Sequence, residues 1–115
     1  MISEGDIFLF KFLLTNQSTG KRRPAVFLKK IPSQIGDWLV CMVSSQLHHE
    51  VQGVDIVVRT DEKMFAETGF RKDSLIRVTR LAVVDEAIFE TKIGNLPHDA
   101  LFALKGRLAD WLTSC

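Results

Sequence analysis

Phe8, Phe10 and Phe12 alternate with Ile7, Leu9 and Lys11 along Asp6–Leu13. A repeat of two marks extended chain, because successive side chains of a strand point to opposite faces. Both faces are largely apolar here, as in a strand central to a small barrel. More short segments follow, with turn signals between them. Ala25–Lys29 is predicted as a second strand, followed by a turn over Ile31–Asp37 that contains Pro32 and Gly36. Trp38–Ser45 is a third, nearly all apolar until two hydroxyls appear at its end, and Val54–Val58 is a fourth. Lys63–Glu67 reads as one helical turn, with Gly69 in a C-cap position. Ser74–Val84 is a long fifth strand, with Ile76 and Val78 facing opposite to Arg77 and Thr79. Asp85–Phe89 reads as another helical turn, and Thr91–Ile93 as a short strand closed by Gly94 and Asn95.

The period then changes. Leu101, Leu104, Leu108, Trp111 and Leu112 recur at spacings of three and four, which predicts an amphipathic helix over 97–113 with Trp111 packed in the core. Pro97 suits its first turn, and Asp99 is favourable near the positive end of the dipole. Gly106 costs only ~1 kcal/mol relative to alanine, little against five large apolar anchors. The expected fold class is therefore mainly β: an SH3-like small antiparallel barrel with short helical turns and a C-terminal α-helix.

The length of 115 residues, with 46% apolar and 25% charged residues, fits one ordinary globular domain spanning 1–115. A net charge of +1 provides no overall field for nucleic acid, so any such binding must come from a local patch. Glu4 and Asp6 interrupt the N-terminal apolar stretch, unlike a signal peptide, and no apolar run approaches the ~20 residues of a membrane span. Cys41 and Cys115 lack metal-ligand spacing, so reduced thiols in a cytoplasm are expected.

A local patch does exist. Lys21, Arg22 and Arg23 end a small polar loop, Thr15–Gly20, and are stopped by Pro24 before an apolar strand. Proline fixes φ and lacks an N–H, so Pro24 belongs at a strand's first position or on an edge. Three adjacent cations on a rigid support at a loop mouth are suited to holding phosphate. A solvated basic loop that keeps an edge soluble is the plainer alternative.

The order of segments resembles the MazF/PemK toxin family. The matching stretches are Gly5-Asp6-Ile7, Arg23-Pro24-Ala25-Val26, Val43-Ser44-Ser45-Gln46, Gly69-Phe70-Arg71-Lys72-Asp73-Ser74 and Ile93-Gly94-Asn95-Leu96. The resemblance implies a homodimeric, metal-independent endoribonuclease that needs no cofactor. It also implies a single-stranded RNA substrate and silencing by an acidic antitoxin whose tail folds across the RNA groove. Cleavage would use the 2′-hydroxyl as nucleophile, leaving a 2′,3′-cyclic phosphate and a 5′-hydroxyl. Arg23 matches the family's catalytic arginine before the proline, and its planar fork can bind two phosphate oxygens at once. Ser44 matches the family's hydroxyl at the end of the third strand, where threonine is more usual; without the match, a hydroxyl bonding its own turn would be preferred.

Two departures bear on activity. Some members carry an acid five residues before the arginine; here that position is Ser18, and no carboxylate lies between Lys11 and Lys30. Where the family often shows Ile-Arg-Thr before an acid, this chain has Leu81-Ala82-Val83-Val84-Asp85, with its arginines earlier, at Arg77 and Arg80. Lys21, Arg22 and Arg77 are candidate phosphate contacts, and Gln46 a candidate for a base edge or the antitoxin. Arg71 and Lys72 read as a charged turn. His48 and His49 suggest a general base, but neighbours on extended chain point opposite ways, and solvent exposure of both is expected. Two alternatives stay beside the nuclease. One is a binding module for RNA or antitoxin that has lost catalysis. The other is an inhibitor of a protein target such as gyrase, which a packed Trp111 disfavours.

Overall fold

The expected strands form, with boundaries that shift for physical reasons. The structure, a computed structural model, describes residues 2–12 and 21–115, without the side chains of residues 10, 11, 12 and 21. The polar loop Thr15–Gly20, with Ser18, lies outside the described residues. The strands are β1 (Asp6–Phe12), β2 (Lys21–Lys30), β3 (Asp37–Ser44), β4 (Ile56–Val58), β5 (Ser74–Asp85) and β6 (Thr91–Asn95). They pair antiparallel into one curled sheet in the order β4-β5-β3-β2-β1-β6. The helices are α1 (Phe65–Thr68) and α2 (His98–Thr113), with 3-10 turns at Leu47–His49 and Glu86–Ile88.

β2 starts at Lys21, four residues before the sequence suggested, so Pro24 sits within a strand and not at its head. It stands opposite Leu9 of β1. Pairing with β3 begins only at Ala25. On that flank Pro24 is at an edge, and its missing N–H removes no rung. β4 is shorter than expected because Asp55 leaves the strand: its carboxylate accepts a hydrogen bond from the Val51 N–H and closes a turn. Gly69 caps α1 with φ +76°, as its position implied. The same turn lies against β6, where a Cβ on Gly94 would meet the Glu67 carbonyl oxygen at 2.3 Å.

The sheet has apolar side chains on both faces, which is why β1 alternates phenylalanine with aliphatic residues. One face holds Ile7, Val26, Leu28, Cys41, Val43, Ile76 and Val78 against Leu101, Leu104 and Leu108 of α2. The other holds Ala25, Phe27, Trp38, Val40, Met42 and Val84, with Phe8 and Phe89 packed on them. Phe27 and Phe89 meet edge to face at 4.2 Å between centroids. Pro97 lies just before the first turn of α2, at its N-cap, and Asp99 is in that turn.

The last turn of α2 departs from expectation. Trp111 is 43% exposed and Leu112 is 63% exposed, so the apolar stripe outruns the surface that covers it. Core packing of Trp111 is not observed, and it no longer weighs against action on a protein target. No helix is long and apolar enough to cross a membrane among the described residues.

Candidate active site

Arg23 and Ser44 are brought together by strand register. Phe27 faces Val40 and Ala25 faces Met42. Two residues further along each strand, past the last rung, Arg23 falls opposite Ser44. No rung joins the two strands there. Two hollows meet at this point, and Arg23, Val43 and Ser44 line both. The larger, about 500 Å³, is also bordered by Arg22, Arg71, Lys72, Phe70 and Ile93. The smaller, about 220 Å³, is bordered by Gln46, His49, Arg77 and Arg80.

The cations differ in what already holds them. Arg23 is half-buried and makes no ion pair or side-chain hydrogen bond with the described residues. Arg22 is engaged: its Nε donates to Glu90 Oε1 at 2.7 Å. A phosphate would have to share Arg22 with that carboxylate, whereas no described residue engages the fork of Arg23. Lys21 opens β2 opposite Phe12, with its side chain outside the description. Ser44 Oγ accepts from the Gln46 N–H at 3.0 Å, the local turn bond that serine commonly makes at a strand end. That bond uses an acceptor lone pair. A hydroxyl keeps its O–H donor when it accepts, so the proton of Ser44 stays available to the hollow. The backbone N–H thus fixes an oxygen that lacks the methyl group of threonine.

Arg77 and Arg80 reach the smaller hollow through an irregularity in β5. Met42 pairs with Arg77, yet Cys41 pairs with Leu81, leaving Val78, Thr79 and Arg80 without partners on β3. A surplus of this kind bends the strand and re-aims its side chains. It also strands an amide: the Val78 N–H is buried and donates to Asp55 Oδ1 at 3.0 Å. The other carboxylate oxygen of Asp55 holds Val51, and its carbonyl accepts from Arg107 Nη1 of α2 at 2.5 Å. Asp55 therefore joins the loop after the Leu47–His49 turn to the bend of β5 and to the helix. Next to it, the Cys41 thiol is pushed up to about 12, by burial first and by the Asp55 charge second. It stays protonated and is no nucleophile.

Sequence reasoning placed Lys21, Arg22, Arg23, Ser44, Gln46 and Arg77 at one site; the last four line the smaller hollow, Arg22 borders only the larger, and the Lys21 side chain lies outside the description. Arg71 and Lys72, read as a charged turn, border the larger one. Arg80 and His49 were not chosen; His49 is exposed, as expected, yet the 3-10 turn sets it beside the smaller hollow, as the bend does Arg80. Asp55, an acid between two apolar residues of an expected strand, is buried and fills the acceptor place at that bend. Among the described residues, no three of His, Cys, Asp or Glu converge as metal ligands.

Comparison with known proteins identifies the family and the fold. The family model for the PemK-like, MazF-like toxin of type II toxin–antitoxin systems matches residues 3–112. The chain belongs to that family. Among solved structures, a MazE–MazF crystal structure (Form II) from Deinococcus radiodurans superposes with a TM-score of 0.68 at 16% identity, covering 99% of this chain and 97% of the other. The Mycobacterium tuberculosis toxin MazF-mt6 gives 0.65 at 14% identity, covering 91% and 95%. Form III of the Deinococcus complex gives 0.62 at 18% identity, covering 98% and 96%. At these identities the likeness is one of fold. No curated protein sequence matches the chain.

Proposed function

We propose that this toxin-family chain is a metal-independent endoribonuclease that cleaves single-stranded RNA to 2′,3′-cyclic phosphate and 5′-hydroxyl ends. The observation that supports it most is Arg23, without a described ionic partner, set opposite the Ser44 hydroxyl where two cation-bordered hollows meet. In-line attack by a 2′-oxygen puts negative charge on the equatorial oxygens of phosphorus. A guanidinium fork and a hydroxyl donor held beside them lower that barrier electrostatically. Arg77 and Lys21 are read as contacts to flanking phosphates, Arg22 as a secondary one, and Gln46 as a partner for a base edge. Single strands are selected through splayed bases, and the apolar wall of Phe70 and Ile93 gives one a surface to rest on.

The natural inhibitor on this reading is an acidic antitoxin whose carboxylates occupy the phosphate positions, and the working unit is a homodimer in the cytoplasm. MazE bound to MazF in the Deinococcus complexes supports an antitoxin partner. Both hollows lack a lining carboxylate, which favours one second reading: RNA is bound but not cut. The test incubates short single-stranded RNA with pure protein in EDTA, beside Arg23→Ala. Cyclic-phosphate products from the native protein alone are expected, with a loss of at least about 100-fold in the variant. RNA that stays intact while bound would give the second reading.

A further inference from the structure

We propose that His49 is the general base of the cleavage reaction, taking the proton from the attacking 2′-hydroxyl. The inference rests on the ribonuclease reading and supplies the proton acceptor that reading lacks. The larger hollow is lined by no histidine, aspartate or glutamate, and in the smaller one His49 is the single side chain of these types. Residues 13–20, outside the described part, contain none of the three in sequence. Arginines cannot serve, because they keep their protons at any working pH. An ordinary imidazole titrates near neutrality and can accept one.

Placement supports the assignment. His49 ends the 3-10 turn that leaves Ser44 and Gln46, and its N–H donates to the Gln46 carbonyl at 3.0 Å. Both histidines are exposed; in the 3-10 turn their rings meet at 4.3 Å, and of the two His49 borders the hollow. The charged groups bordering it are Arg23 from β2 and Arg77 and Arg80 from β5, with His48 on its own turn. Glu50 follows in the chain but lines neither hollow. The three guanidiniums fit phosphate, leaving the imidazole for the proton.

The step balances without a co-reactant. The 2′-oxygen loses its proton to the imidazole and forms the O2′–P bond. The P–O5′ bond breaks with its electron pair on O5′, which takes a proton from water, and the imidazolium returns its proton to solvent. No water is consumed.

The experiment measures kcat/KM for single-stranded RNA in EDTA across the neutral range, using the full chain, His49→Gln and His48→Gln. A non-cleavable RNA with 2′-deoxyribose at the cut site reports binding, and thermal unfolding reports folding. The native rate is expected to rise with pH and level off, as a base that acts unprotonated requires. His49→Gln should lose about 100-fold or more together with that rise, while binding the deoxy analogue normally. His48→Gln should stay within about twofold, as expected of an exposed neighbour outside the hollow. A native-like rate and profile in His49→Gln, with Arg23→Ala inactive, would overturn this assignment and leave the ribonuclease reading standing. Analogue binding that falls as far as cleavage, or a native rate that falls with pH through that range, would overturn it too. No cleavage by the native protein would overturn both readings.

Discussion

Ser44 and Arg23 are held by opposite means. The serine oxygen is tied to a backbone amide two residues on, while the arginine has a stiff proline behind it and no described partner in front. Ser44→Thr should keep the donor and the turn bond and change cleavage less than about threefold, whereas Ser44→Ala loses the donor and should slow it about 10–100-fold at unchanged stability. Arg22→Ala, whose guanidinium is already shared with Glu90, should cost less than tenfold. Initial rates on one RNA substrate separate these outcomes. Both main residues stood out through the family resemblance; the residues alone favoured a solvated basic loop for Arg23 and a local turn bond for Ser44, and that turn bond is present. His49 was expected to be exposed, and it is; its place beside the smaller hollow was not legible, because a 3-10 turn forms where extended chain was assumed.

The bend in β5 shows what an element hides from its sequence. Ser74–Asp85 reads as one long alternating strand, and its length was legible almost to the residue. Its three surplus residues were not, since nothing in a local pattern reveals where the partner strand stops matching. Asp55 repairs the lost rung, and its removal should be costly. Asp55→Ala leaves the Val78 and Val51 amides without their acceptors, at about 1–3 kcal/mol for each unsatisfied group. Urea unfolding should show a loss of about 2–6 kcal/mol, and Asp55→Asn, which retains one carbonyl oxygen, a smaller one. Cleavage should fall in Asp55→Ala even below its unfolding midpoint, because the same carboxylate anchors the loop that follows His49.

Across the whole molecule, charge is nearly balanced at +1, yet the two hollows are lined by Arg22, Arg23, Arg71, Lys72, Arg77 and Arg80. Attraction for RNA is therefore local. If three phosphates are neutralised, binding of the deoxy analogue should follow a log–log salt slope of about −2, roughly a fifteenfold loss between about 50 and 200 mM. A flat response would remove phosphate from the account of these hollows. The general architecture, a curled sheet closed by one helix, was readable from periodicity; the reach of α2 past its covering was not, because a helical stripe says which side faces inward but not how far the sheet extends beneath it.

The surplus in β5 is odd in number, and that has a consequence for the layers. Ile76 and Val78 serve the helix-side core before the bend, while Ala82 and Val84, also even-numbered, serve the aromatic side after it. One continuous strand thereby changes allegiance midway. Straightening the strand with its sequence intact would turn half of β5 inside out, bringing Asp85 towards the phenylalanines and sending Val84 to water, whereas deleting the three surplus residues would keep Leu81 against Cys41 and every facing after it.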